Sequence, residues 1–297
     1  MAPEETATQI LLRGLVDDAG LFPPASLSIL QAVERHRSDR IVAHPMLTHR
    51  LLCPEQRWSE LLARVNGGGP IDAAVVLDAE RGFAATPPES SPGVRVTHYE
   101  ARARAEDLRM AADLFRSGDL EGSGRTVFFE FDPLPEFPDL AGAPAFGRTS
   151  GWPAAVAMLG GARPLGVKIR CGGPKAAMFP GVSDLADALL ACVEHDVPFT
   201  AAGLQHAVRH TDPRTGFAHH GYLNLLLATV AALSADRGAV KAALACTDGA
   251  RLAAGAAEVA PGDARRARDL FTRFGARSTG DPVRDAEGLG LLGSWEI

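Results

Sequence analysis

Apolar positions in this chain fall into short runs separated by longer stretches at helical spacing. Residues 10–16 form the first run, closed by Asp17-Asp18-Ala19-Gly20 and then Phe22-Pro23-Pro24. Residues 26–37 place Leu27, Leu30 and Val33 on one helical face, and residues 41–45 read as a second strand ending at His44 and Pro45. Residues 54–65 repeat the helical spacing with Trp58, Leu61, Leu62 and Val65, and Asn66-Gly67-Gly68-Gly69-Pro70 stops them. A strand is then read at 71–78, where Ala73, Ala74, Val75, Val76 and Leu77 run apolar without alternation, which suits a strand covered on both faces. Strands are expected at 94–98 and 126–131 with a helix at about 103–116 between them. A proline- and glycine-rich loop follows at 133–150, then a short helix at 152–159.

The sixth strand, at 164–170, ends in Lys168-Ile169-Arg170 and leads into Cys171-Gly172-Gly173. Lys168 and Arg170 are two apart and so share one side of a strand. A helix signal begins at Ser183-Asp184, and a seventh strand is read at 197–203. A strongly apolar helix follows at 222–233, two more helical patterns at 240–252 and 264–271, then a weak, arginine-rich strand at 274–278 and a closing helix at 281–292.

Strands that alternate with helices imply a parallel sheet. Eight strand candidates in a chain of this length predict a TIM-barrel-like (β/α)8 fold, one domain over residues 1–297 with extra helices at about 236–272. An open, doubly wound sheet would show G-x-G-x-x-G after the first strand, where Asp17-Asp18-Ala19-Gly20 stands instead.

Composition narrows the partners. A net charge of −6 argues against nucleic acid as the main ligand. The first nine residues hold Glu4 and Glu5 and no signal-peptide core, and no apolar stretch of about 20 residues suggests a membrane span. The expectation is a cytoplasmic protein without a membrane or nucleic-acid partner, and a homo-oligomer is compatible with it. Cys53, Cys171, Cys192 and Cys246 form no metal or disulfide spacing, and no cofactor is called for.

The cations are uneven. Of 30 basic residues only Lys168, Lys175 and Lys241 are lysines. A lysine at a strand tip is therefore a chemical choice as much as a charge, because lysine can lose its proton and arginine cannot. In a barrel of this kind the chemistry sits where strands end. The tips read Asp17 and Asp18; His44; Asp78 and Glu80; His98 and Glu100; Glu130 and Asp132; Lys168 and Arg170; Thr200 and His206; then Arg273 and Ser278.

From these, Lys168, Glu130 and His206 are the candidate catalytic residues. Lys168 would act as Schiff-base nucleophile or as acid/base, Glu130 as its proton partner, and His206 as a second acid/base. Arg170, Gly172 and Gly173 would hold a substrate anion, with Asp18, His44, His98 and Arg209 as further substrate contacts. Asp17 and Asp18 are adjacent, so at most one of them faces the mouth.

The blocks Leu15 to Pro24, Lys168 to Gly173 and Gly203 to His210 resemble those of uncharacterised proteins from high-GC bacteria, a group with no assigned activity. The lysine on strand six before a glycine loop is more distantly similar to class I aldolases of the barrel fold. That similarity implies a Schiff-base role for Lys168 by fold-level analogy alone.

Together these readings imply a lyase/aldolase- or isomerase-type enzyme for a small anionic, carbonyl-containing substrate. Two alternatives stand beside it. One is a metal-dependent hydrolase or isomerase built from His44, His98, His206 and acidic tips. The other is a barrel that binds a metabolite without chemistry.

Overall fold

The computed structural model describes residues 5–65, 69–78, 87–103, 108, 113, 126–130 and 152–293. Eight parallel strands close into one barrel, each paired with its neighbours in sequence and the last with the first. They are β1 Val16–Asp18, β2 Leu47–Pro54, β3 Ile71–Val76, β4 Val94–Arg102, β5 Thr126–Glu130, β6 Leu165–Arg170, β7 Phe199–Ala202 and β8 Phe271–Ala276. The helices used below are α1 Ala7–Leu12, α2 Ile29–Val42, α3 Trp58–Arg64, α4 Trp152–Ala157, α5 Val182–Glu194, α6 Tyr222–Ala232, α7 Arg237–Ala245, α8 Gly249–Glu258, α9 Pro261–Leu270 and α10 Gly280–Gly288. This is the (β/α)8 barrel that the alternation predicts.

The strands carry two different faces. On β6, Leu165, Val167 and Ile169 join the apolar layer under the helices. The intervening Gly166, Lys168 and Arg170 point inward. A Cβ on Gly166 would meet Pro198 O at 2.4 Å and the Phe128 ring at 2.7 Å, so glycine there leaves room for that ring inside the barrel.

Local signals set the helix starts. Thr6 and Gln9 cap α1 reciprocally, and Ser28 and Gln31 do the same for α2. Asp236 and Asp248 accept from the backbone N–H of Ala239 and Arg251 to begin α7 and α8. α6 to α9 all lie between β7 and β8, where the repeating unit would need one helix. The segment Ala176–Glu194 has the length and apolarity of a membrane-crossing helix. It is a 3-10 turn followed by α5, whose Leu185, Leu189 and Cys192 are buried in the fold.

Two strand expectations are corrected. Residues 10–16 do not form one strand: Ile10, Leu11 and Leu12 belong to α1, apolar because the helix is buried, and β1 begins at Val16. Residues 41–45 are not a strand either. α2 runs to Val42 and ends at Ala43, whose φ of 52° is left-handed, and β2 starts at Leu47. β4 is longer than expected, and β8 begins three residues before the expected start. The 240–252 pattern is two helices with a break at 246–248. The loop at 133–150, Glu80, Phe131, Asp132 and most of the helix at 103–116 lie outside the described residues.

Candidate active site

Alternation along β4, β5 and β6 sends Glu100, Glu130 and Lys168 into the barrel, and there they meet. Lys168 Nζ lies 2.6 Å from Glu100 Oε2 and 3.3 Å from Glu130 Oε2. All three residues are buried. Burial by itself pulls the Lys168 pKa down. Glu100, and then Glu130, outweigh it and hold the ammonium above its ordinary pKa. The carboxylates mirror this. Burial pushes Glu100 up, but Lys168 and His98 hold it well below the usual range. Glu130 is also held low against burial, by Lys168, Arg170 and Arg102.

Arg170 spends its fork on Glu130, with Nε 2.7 Å from Oε1 and Nη2 2.8 Å from Oε2. A bidentate pair of this kind fixes the carboxylate's plane. Arg102 approaches the same carboxylate at 3.5 Å. The expectation that Glu130, Lys168 and Arg170 gather is met in space. Glu100 is nearer to the amine than Glu130 is, although only its place at a tip marked it in the sequence.

His98 is fully buried beside this triad. Thr97 Oγ1 donates to Ala73 O at 3.1 Å and lies 3.2 Å from His98 Nδ1. His98 Nε2 faces Glu100 Oε1, 3.8 Å away and beyond hydrogen-bond reach. Burial, and then Arg273, lower His98 to about 4, so the ring is neutral at pH 7. Phe128 packs edge-on to His98 at 5.6 Å and carries the Arg273 guanidinium over its face at 4.8 Å.

Asp17 also points inward. It accepts from Thr48 Oγ1 at 2.5 Å and from Arg50 Nη1 at 3.2 Å, and Arg273 Nε lies 3.4 Å from its other oxygen. Arg273 was one tip residue among many in the sequence. Arg50 went unnoticed because the second strand was expected before it.

The remaining candidates lie elsewhere. Asp18 faces away from its neighbour, outward to α2, where it accepts from Gly20 N at 2.8 Å and Arg35 Nε at 2.9 Å. It anchors a helix and stands apart from the substrate-binding place expected for it. His44 precedes β2, at the end of the barrel opposite the strand tips, and its Nδ1 accepts from Met46 N at 3.2 Å. The strand that would have carried it to the mouth is part of α2.

Gly172 is explained by packing: a Cβ there would meet Gly203 O at 2.8 Å, so the loops after β6 and β7 touch backbone to backbone. Gly173 lies against Met178. Arg209 Nη1 is 3.1 Å from His220 Nδ1, and His220 Nε2 donates to Pro180 O at 2.8 Å. His220 therefore ties the loop after β7 to the loop after β6, and Arg209 braces it. His206 sits on the rim, its Nδ1 3.1 Å from Asp285 Oδ2, its ring edge on His210. No described contact joins it to Lys168.

Cys171 is fully buried and its thiol is pushed up to about 12, which removes thiolate chemistry at neutral pH. Among the described residues no three of His, Cys, Asp and Glu converge as a metal site.

No family model, curated protein or solved structure matches the chain. The likeness of three blocks to proteins of high-GC bacteria finds no support there. What the chain shares with class I aldolases is the barrel, which does not define an activity.

Proposed function

We propose that the protein is a cytoplasmic enzyme of lyase or isomerase type. It moves a proton beside the carbonyl group of a small anionic substrate. The observation that carries this is Lys168 Nζ held between Glu100 and Glu130 inside the barrel. A buried ion triad is a poor device for stability, since well-packed apolar residues of similar size serve as well. It does place a proton donor and a proton acceptor side by side in a buried site, the arrangement that proton transfer needs.

The geometry favours one of the two roles weighed for Lys168. An amine must be neutral to attack a carbonyl. Two carboxylates keep this one protonated, so Lys168 is the acid: it donates a hydrogen bond, then a proton, to the substrate's carbonyl oxygen as an enolate develops. Glu100 takes the proton from the adjacent carbon. Glu130, clamped by Arg170, holds Lys168 in place. His206, oriented by Asp285, stays at the rim outside this transfer.

Solvent-deuterium exchange tests it. Wild-type protein is incubated in D2O with a panel of 2-oxo acids and sugar phosphates and followed by proton NMR. Exchange is expected at the carbon next to the carbonyl of at least one compound. Lys168→Met and Glu100→Gln should each slow it by about 100-fold or more. Exchange that survives in Lys168→Met sinks the proposal. Borohydride reduction that attaches the substrate to Lys168 replaces the acid role with the nucleophilic one.

A further inference from the structure

Two guanidiniums, Arg50 from β2 and Arg273 from β8, converge on one carboxylate, Asp17 from β1. Neither is satisfied by it. The Nε of each is buried without a hydrogen-bond partner. Arg50 gives Asp17 one nitrogen, at 3.2 Å, and Arg273 approaches at 3.4 Å outside hydrogen-bond geometry. Their side chains keep 19% and 14% exposure, so a small ligand can still reach them. Two cations sharing one anion leave one positive charge uncompensated, and a buried donor left unpaired is costly. The cluster borders the triad: Arg273 lies over Phe128, Phe128 touches His98, and His98 faces Glu100.

We propose that Arg50 and Arg273 form an anion subsite. The substrate is then a carbonyl compound with an acid group, carboxylate or phosphate, on the far side of the reacting carbon from the mouth. Asp17, itself held by Thr48, lies between the two guanidiniums, and the substrate's acid group completes the cluster. Among the described residues no hydrogen bond engages Arg50 Nη2 or the Nη atoms of Arg273, and these ends, beyond the buried Nε atoms, match a planar or tetrahedral oxyanion, which arginine binds through paired N–H groups. This rests on the proton-transfer reading of Lys168 and adds the substrate's charge pattern to it.

The test is isothermal titration of the full chain with uncharged dihydroxyacetone, oxaloacetate, 2-oxoglutarate and dihydroxyacetone phosphate. At least one of the two dianionic 2-oxo acids, or the phosphate, should bind about tenfold or more tighter than dihydroxyacetone. Which of them leads separates a carboxylate from a phosphate as the acid group. Arg273→Gln and Arg50→Gln should each remove that margin while dihydroxyacetone binding stays within about twofold. Because loss of a cation leaves Asp17 less compensated, Arg273→Lys is the control for folding. It keeps the charge, loses the fork, and should lose most of the margin.

A wild-type protein that does not discriminate, or a margin intact in the folded arginine variants, overturns the subsite. Lys168→Met separates the two proposals. Deuterium exchange lost in Lys168→Met with the margin intact in Arg273→Gln removes the subsite and keeps the proton transfer. The margin lost in Arg273→Gln while exchange survives in Lys168→Met does the reverse.

Discussion

The inside of the barrel and the layer between barrel and helices are built from the same strands by opposite rules. The outer layer is apolar: Val167 and Ile169 of β6 meet the buried shell that includes Leu185 and Leu189 of α5. The interior is ionic: Asp17, Glu100, Glu130, Lys168 and Arg273 lie within it, with Phe128 as the aromatic floor. Burying a leucine stabilises a fold by about 1.5–3 kcal/mol, whereas burying an ion pair roughly breaks even against an apolar replacement. The outer layer therefore accounts for the fold. The interior charges, which a fold of this kind does not need, are what the proposed proton transfer rests on.

The largest effects should separate the two regions. Lys168→Met leaves Glu100 without its cation in a buried place, and about 3–5 kcal/mol of stability is expected to go. Deuterium exchange should go with it. Leu189→Ala opens a cavity in the outer layer at about 2–5 kcal/mol. Exchange per folded molecule should be unchanged there. Urea unfolding paired with the exchange assay checks both, and a Leu189→Ala protein that is folded but inert breaks the division.

A smaller change sharpens it. Replacing both members of the close pair, Lys168→Met with Glu100→Met, removes the uncompensated charge that the single variant creates. Glu130 keeps Arg170 as its partner. The double variant is expected to recover the stability lost in Lys168→Met, and to match or exceed wild type by about 1–4 kcal/mol. It should remain inactive. A double variant less stable than the single one would show that the interior charges hold the fold after all.

The same division explains how much could be read from the sequence. β3 and β6 stand out because their outer faces are apolar, with Ile71, Ala73 and Val75 on β3 and Leu165, Val167 and Ile169 on β6. β2 hides because its inner face carries Thr48 and Arg50 for Asp17, so a real strand reads as polar. Its place was taken by Ile41 and Val42, β-branched residues at the end of α2 that are 85% and 59% exposed. Lys168 was legible from the scarcity of lysine, and Glu130 from its position at a tip. Glu100 could have been chosen by the same two-residue period that joins His98, Glu100 and Arg102 on one face of β4. Arg50 could not, because nothing in the local pattern reveals a carboxylate two strands' worth of sequence away.

The smallest expected change is a slope, and its sign differs between the two proteins. In wild type, Glu100 and Glu130 are held below their ordinary 4.5, so the stability they contribute is present above that pH and is lost as acid carries them through their folded values. His98 behaves alike: burial puts it at about 4 when folded against 6.5 unfolded, so stability falls as pH drops through that window. Lys168 acts on the other side, contributing below 10.5 and losing its contribution as pH rises through its raised folded value. Without the ammonium, burial becomes the main influence on Glu100 and lifts its pKa. The carboxyl then favours folding when protonated and opposes it as pH rises through the new value. Lys168→Met should thus close the gap to wild type by about 1.4 kcal/mol per pH unit as pH falls through that window. Urea midpoints at successive pH values measure it. A gap that stays constant down to pH 4 would mean that Glu100 finds another cation, and that the ammonium is not what keeps the interior charged.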